Sequence, residues 1–276
     1  MVRVIAHISD LHFGRVDEKI VAALAAQIIA SKPDLVAVSG DLTQRARVSE
    51  FRAARAFLDS FPQPKVMVPG NHDVPLLHLF DRVLRPLTKY REYISADLTP
   101  YYSDEEMAVL GINTARSLVH KAGRINRRQV EHACERFKSL APDIVRIVVT
   151  HHPLDLPNSH PPSHLVGRAQ MAMAGFAGCR VDLFLSGHLH VGHTLGTTSR
   201  YAIAGYSAVV VHAGTAASTR TRSEPNSWNL IRIQNRRITV ERFTWLSETG
   251  GFAGPAIEHF ESTAEGWRQT DRPERP

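Results

Sequence analysis

The sequence predicts an α/β fold in which strands of a layered sheet are joined by crossover helices. Short apolar runs rich in β-branched residues occupy 2–8, 35–38 and 65–68, the signature of buried strands. Between them, 17–31 and 48–61 carry apolar residues at helical spacing. The resulting β-α-β-α-β order calls for a sheet with crossover connections. The chain of 276 residues, 43% of them hydrophobic, can bury a sizeable core. It reads as one domain over 1–260, with a polar, flexible tail at 261–276.

Each element has a local reason. In 17–31, Ile20, Leu24 and Ile28 share one face, and Pro33 lies just beyond the end. In 48–61, Phe51, Ala54, Leu58 and Phe61 form one stripe before Pro62 and Pro64. Residues 75–100 are less regular, with helical patches and internal prolines. They follow directly on Asn71-His72-Asp73, so they read either as a wall or lid of a site or as a peripheral insertion. A strand is expected at 107–112. Asn126 then caps a helix, with Gln129 three residues on in capping-box spacing. Val130, Cys134, Phe137 and Ala141 make its inner face, and Pro142 ends it. Strands follow at 144–149 and 181–185, around a Pro- and His-rich loop (154–164) and a helix (166–178). The remainder reads as β, at 201–203, 208–211, 228–233 and 238–245, with Asn235-Arg236 as a hairpin turn.

Composition narrows the function. The net charge of +6 suits an anionic substrate but is too scattered to imply a nucleic-acid polymer. Arg127-Arg128, residues 220–222 and Arg236-Arg237 read as solvated surface charge. Cys134 and Cys179 lack CxxC partners and read as packed thiols in a reducing cytoplasm. The chain runs directly into its first strand, so no signal peptide is expected, and no run approaches the roughly 18 apolar residues of a membrane helix. Residues 208–211 read as core, or as the face of a homodimer. A Walker loop, a nucleophile elbow and an HExxH zinc motif are all missing from the sequence.

The chemistry lies just after the apolar runs. Asp10-x-His12, Gly40-Asp41, Gly70-Asn71-His72-Asp73, Thr150-His151-His152 and Gly187-His188-x-His190 each place polar side chains where a strand ends. In open α/β sheets, ligands bind at the carboxyl ends of strands. If strand geometry persists, Asp10 and His12 point to one side, as do His188 and His190. Asp10, His12, Asp41, Asn71, His151, His188 and His190 together exceed the four positions of one tetrahedral ion. They suit two divalent cations bridged by Asp41, and mixed oxygen and nitrogen donors favour Mn, Fe, Co or Zn. Such a pair generates hydroxide at neutral pH and clamps a phosphoryl group. His72 lies one residue out of phase with Asn71. It is expected to face the substrate and to protonate or stabilise the leaving oxygen. Asp73 would orient it or hold the loop.

These blocks, in this order, resemble the calcineurin-like metallophosphoesterases. The resemblance spans roughly the first two-thirds of the chain. It implies a four-layer αββα sandwich of two mixed sheets flanked by helices. It further implies that Asp10, His12, Asp41 and His190 hold one ion, and that Asp41, Asn71, His151 and His188 hold the other. The Ser9-Asp10-Leu11-His12 opening and the block Pro225-Asn226-Ser227-Trp228-Asn229 are most similar to bacterial class III cyclic-nucleotide phosphodiesterases. Relatives that cleave a lipid-linked pyrophosphate often carry Arg at the position of His72. The expected substrate is a small phosphorylated molecule, a cyclic nucleotide first. A phosphomonoester, or a nucleotide-sugar, lipid or glycerol phosphodiester, is the enzymatic alternative, and an inactive scaffold the other. Among the remaining histidines, His7 reads as a core residue and His152 as a neighbour of the site. His160, His164, His193 and His212 read as structural or exposed, with His193 the one expected to line the cleft.

Overall fold

The computed structural model describes residues 1–76, 79–117, 122–157, 159–197, 200–220 and 224–271. Two mixed sheets face each other, with helices on both outer surfaces. The first is ordered β13-β12-β11-β10-β1-β2-β3, from β1 (Arg3–Ile8), β2 (Leu35–Val38), β3 (Lys65–Met67), β10 (Ser227–Gln234), β11 (Arg237–Leu246), β12 (Gly251–Thr263) and β13 (Gly266–Thr270). The second is ordered β4-β5-β6-β7-β9-β8, from β4 (Tyr101–Ser103), β5 (Met107–Gly111), β6 (Val145–Val149), β7 (Leu183–Ser186), β8 (His193–Gly196) and β9 (Val209–His212).

Alternation of side chains along the strands explains the layering. Ile5, Leu35, Ala37 and Val66 of the first sheet pack against Val109, Ile147, Leu185 and Val211 of the second, forming the inter-sheet core. The opposite faces of β1 and β2 bury Ala6, Ile8, Val36 and Val38 against α1 (Glu18–Ser31) and α2 (Val48–Asp59). Leu110, Val148, Phe184 and Val210 do the same under α5 (Arg127–Phe137) and α6 (Ala169–Gly178). Three cores between four layers make the αββα sandwich. β1, β2 and β3 run parallel, as do β5, β6, β7 and β9. Their carboxyl ends therefore open onto a common edge.

Several expectations need correction. Cys134 and Cys179 form a disulfide with Cα atoms 5.2 Å apart, because α5 and α6 lie side by side over one sheet face. The α5 capping box is present, but the helix stops at Phe137 and Ala141 is exposed. Residues 201–203 form no strand, whereas β4, β8 and much of 251–270 do. The stretch 261–270 is paired as β12 and β13, with Trp267 buried against Phe260; its polar residues face solvent on an edge hairpin. Residues 272–276 lie outside the described residues. Residues 208–211 are completely buried between β7 and β8, so they are core and offer no dimer face. Residues 75–100 form α3 (Leu79–Leu84) and α4 (Thr88–Tyr93); Leu77 and His78 lie outside the described residues. Among the described residues, no helix is long and apolar enough to cross a membrane.

Candidate metal centre

The loops after β1, β2, β3, β6 and β7 converge at the shared edge. Donor atoms fall within 4.8 Å of one another in overlapping groups: Asp10, His12 and His190; His12, Asp41 and His72; Asp10, Asp41 and His151; and His151, His152 and His188. All the sequence-derived metal positions meet here. His12 Nε2 lies 3.6 Å from Asp10 Oδ1 and 3.7 Å from Asp41 Oδ2. His190 Nε2 is 3.4 Å from Asp10 Oδ1, and His151 Nε2 is 3.5 Å from Asp41 Oδ1. Asn71 Oδ1 and His188 Nδ1 stand 3.2 and 3.3 Å from His151 Nε2.

The backbone reaches this arrangement differently from the expectation. Strand geometry does not persist past Ile8. Asp10, His12, Asp41, His188 and His190 all adopt left-handed backbone with φ between 49° and 72°. That conformation is uncommon for residues other than glycine, but Asp and His tolerate it better than bulky or β-branched types. Strain of this kind concentrates at functional sites. Gly40, at φ +90°, admits the His151 ring: a Cβ there would lie 2.6 Å from Nδ1. A side chain at Gly187 would collide with Ser9 Oγ.

Neighbouring groups fix which atom each ligand presents. Asp10 Oδ2 accepts from Ser9 Oγ (2.6 Å) and His188 N (3.0 Å), leaving Oδ1 turned inward. His151 Nδ1 donates to Ser39 O (2.8 Å), which puts the Nε2 lone pair toward the cluster. His190 Nδ1 is held by Thr215 Oγ1 at 2.7 Å. His152 Nδ1 bonds Thr114 Oγ1 instead, placing that side chain beside the cluster. Asp73 accepts from Gly70 N, Leu42 N and Thr43 N, so it holds the loop rather than orienting His72.

The electrostatics fit bound cations. Asp10 and Asp41 are almost fully buried. Burial works against their charged forms, yet His190 beside Asp10 and His151 beside Asp41 hold both below the usual carboxylate range. Burial likewise opposes protonation of His12, but Asp10 and Asp41 outweigh it and raise its pKa. At His188, burial and His151 push the pKa down to about 3. Asp10 Oδ1 and both His12 ring nitrogens are buried without a hydrogen-bond partner. Buried polar atoms left so are costly, and their convergence fits the residues as a cation-binding donor set.

His72 stands at the rim. Its backbone N–H donates to Asp41 Oδ1 (2.8 Å) and its Nδ1 to Gln44 O (2.9 Å). Its Nε2 accepts from Arg220 Nη1 at 2.8 Å. Burial lowers its pKa, with Asp41 in opposition. The adjoining cleft of about 470 Å³ is lined by Arg15, Gln44, Arg45, His164 and Arg220 beside the donors. Arg220 was expected in solvent and carries no motif signal; Arg222 lies outside the described residues. His193 does not line the cleft: it opens β8 opposite His212, and His164 takes that place.

Comparison with known proteins agrees with the geometry. The calcineurin-like phosphoesterase family model matches residues 3–192. Over 94 residues the chain is 36% identical to the glycerophosphodiester phosphodiesterase GpdQ of Enterobacter lignolyticus, a match covering 30% of this chain and 33% of that protein. A dimetal phosphatase from Danio rerio superposes with a TM-score of 0.66 at 14% identity, over 87% of this chain and 95% of its own. A purple acid phosphatase from yellow lupin (Lupinus luteus) seeds gives 0.63 at 11% identity, over 93% and 53%. At these identities the structural likenesses establish the fold.

Proposed function

The chain belongs to the calcineurin-like phosphoesterase family, and on that premise we propose that it is a dimetal-dependent phosphodiesterase. Its substrate in this reading is a cyclic nucleotide of the 3′,5′- or 2′,3′-cyclic AMP type. The observation that carries the proposal is the inward-facing donor set, in which Asp10 and Asp41 each stand in more than one group of converging ligands. Asp10, His12, Asp41 and His190 would hold one divalent ion, and Asp41, Asn71, His151 and His188 the second. When bound, such a pair supplies Lewis acidity, which lowers the pKa of water and neutralises phosphoryl charge.

The surrounding residues do the positioning. Ser9, Ser39 and Thr215 orient Asp10, His151 and His190 through the bonds described above. His72 serves the leaving oxygen from Nε2 while Nδ1 stays on Gln44 O. Gln44 O can only accept and Arg220 Nη1 can only donate, so this arrangement puts the hydrogen on Nδ1 and leaves Nε2 to accept from Arg220. Donation to a leaving group therefore requires the imidazolium, with Arg220 drawn off Nε2 by the substrate's anionic oxygens.

A second reading, a glycerophosphodiester substrate, is supported by the partial match to GpdQ. The two separate in a hydrolysis panel on Mn²⁺-reconstituted protein. The panel contains both cyclic AMP isomers, glycerophosphocholine, bis-p-nitrophenyl phosphate, a phosphomonoester and a pyrophosphate. Turnover confined to the monoester would overturn the phosphodiesterase reading.

A further inference from the structure

We propose that Arg15, Arg45 and Arg220 form an anion-recognising wall, and that the substrate is a phosphodiester bearing a second anionic group, a phosphate or carboxylate. This inference rests on the dimetal phosphodiesterase reading above and departs from it on the substrate: cyclic AMP carries a single negative charge, so the wall favours over it a phosphodiester with a second charged group. The three arginines line the same cleft as Asp41, Asn71, His188 and His190. Among the described residues, Asp41 is the one acidic residue lining it, and that carboxylate already belongs to the donor set.

The wall is built into the fold. Arg15 O accepts from Ser218 Oγ (2.9 Å) and Thr219 N (3.0 Å), and Val16 bridges Ser218. Ser218 Oγ in turn accepts from Arg220 N at 3.0 Å. One hydroxyl thus ties the backbones of two arginines distant in sequence. On the other side, Arg45 N donates to Glu50 Oε2 at 2.7 Å, and the preceding residue, Gln44, anchors His72. Among the described residues, Arg15 and Arg45 form no ion pair, although both are exposed.

Charge counting favours a doubly anionic substrate. Two divalent ions less Asp10, Asp41 and one hydroxide would leave one positive charge, and the guanidiniums add three. A simple phosphodiester brings one negative charge. Guanidinium binds phosphate or carboxylate through paired N–H groups, and a concave wall of one sign focuses that attraction. A cationic leaving group such as choline would meet the same field as repulsion. The volume of about 470 Å³ suits a ligand of mononucleotide size.

The test is binding to the Mn²⁺-loaded full chain, read by calorimetry with two probes, 5′-AMP and adenosine 3′,5′-bisphosphate. The bisphosphate should bind at least about tenfold tighter. In the Arg15→Gln/Arg45→Gln double variant that ratio should fall below about threefold, while Arg15→Lys/Arg45→Lys, which keeps the charge, should retain more of it than the Gln pair. A wild-type ratio below about threefold, or a full ratio surviving in the Gln variant, overturns the proposal. General electrostatics scale with probe charge, so the control is Arg127→Gln/Arg128→Gln, which removes the same charge from exposed positions outside the cleft; an equal fall of the ratio in that variant also overturns the proposal. Turnover of bis-p-nitrophenyl phosphate is scored separately. Its absence beside an intact binding ratio would sink the phosphodiesterase reading while leaving the anion wall standing.

Discussion

The parallel strands and the antiparallel C-terminal strands of this molecule share one inter-sheet core but divide its labour. β1, β2, β3, β6 and β7 are ordered by crossovers, so their loops leave at the same edge and bring Asp10, Asp41, Asn71, His151 and His188 together. β10 to β13 form successive antiparallel pairs, so their turns alternate between edges and cannot converge. That meander supplies none of the clustered donors. It contributes apolar mass instead: Ile231, Ile233, Ile238, Val240 and Phe260 all enter the inter-sheet core. Parallel pairing builds the site, and antiparallel pairing closes the sheet around it.

The sharpest break of this contrast is a ligand change that spares the fold. Asp41→Asn should cut kcat/KM more than about 100-fold on every phosphodiester, while its melting temperature in chelator moves by less than about 4 °C. A comparable loss in both would mean that the carboxylate is structural. His72→Asn should lower turnover on alkyl phosphodiesters by about 10²-fold or more. It should cost much less on p-nitrophenyl esters, whose leaving group needs no proton. Equal losses on both would remove His72 from leaving-group chemistry.

The meander should show the reverse. Ile238→Ala removes a fully buried side chain and should cost about 2–5 kcal/mol in urea unfolding, with kcat of the folded fraction unchanged.

Buried histidines beneath the site give a pH test. Burial, then Arg242, lowers His7 to about 3; burial, then His193 and His7, lowers His212 to about 3. A folded pKa below the unfolded 6.5 means that the unfolded chain binds more protons between those values. The stabilising contribution is complete above pH 6.5 and declines as the pH falls toward 3. In chelator, stability at pH 5 should drop by up to about 2 kcal/mol per imidazole, and a flat urea midpoint from pH 7 to 5 would contradict this. The smallest effect belongs to the β10–β11 turn. Asn235, at φ 48°, should cost about 1 kcal/mol when changed to Ala, with activity untouched.

The parallel strands were legible because burial on both faces writes continuous apolar runs such as 35–38 and 183–185. The following donor blocks were legible because Asp, Asn and His after such runs have no packing role. β12 and β13 were missed because an edge hairpin buries little: in 261–270 only Gly266 and Trp267 are buried. Arg220 was missed for a related reason, since nothing adjacent in sequence distinguishes it from surface charge; its contact to His72 and its place in the cleft wall do. The thiols were misread because a sequence separation of 45 between Cys134 and Cys179 says nothing of two helices lying side by side.

Sequence by itself determined the alternation of strands and helices, the cap at Asn126 and the identity of the converging donors, because these follow from periodicity, local hydrogen bonding and side-chain chemistry. Tertiary structure decided which ring nitrogen each histidine presents, the left-handed turns that aim Asp10 and His12, and the arginines facing the cleft. Those depend on partners contributed by distant segments, such as Ser39 for His151 and Thr215 for His190. Contacts of that range exist only once the two sheets have closed on each other.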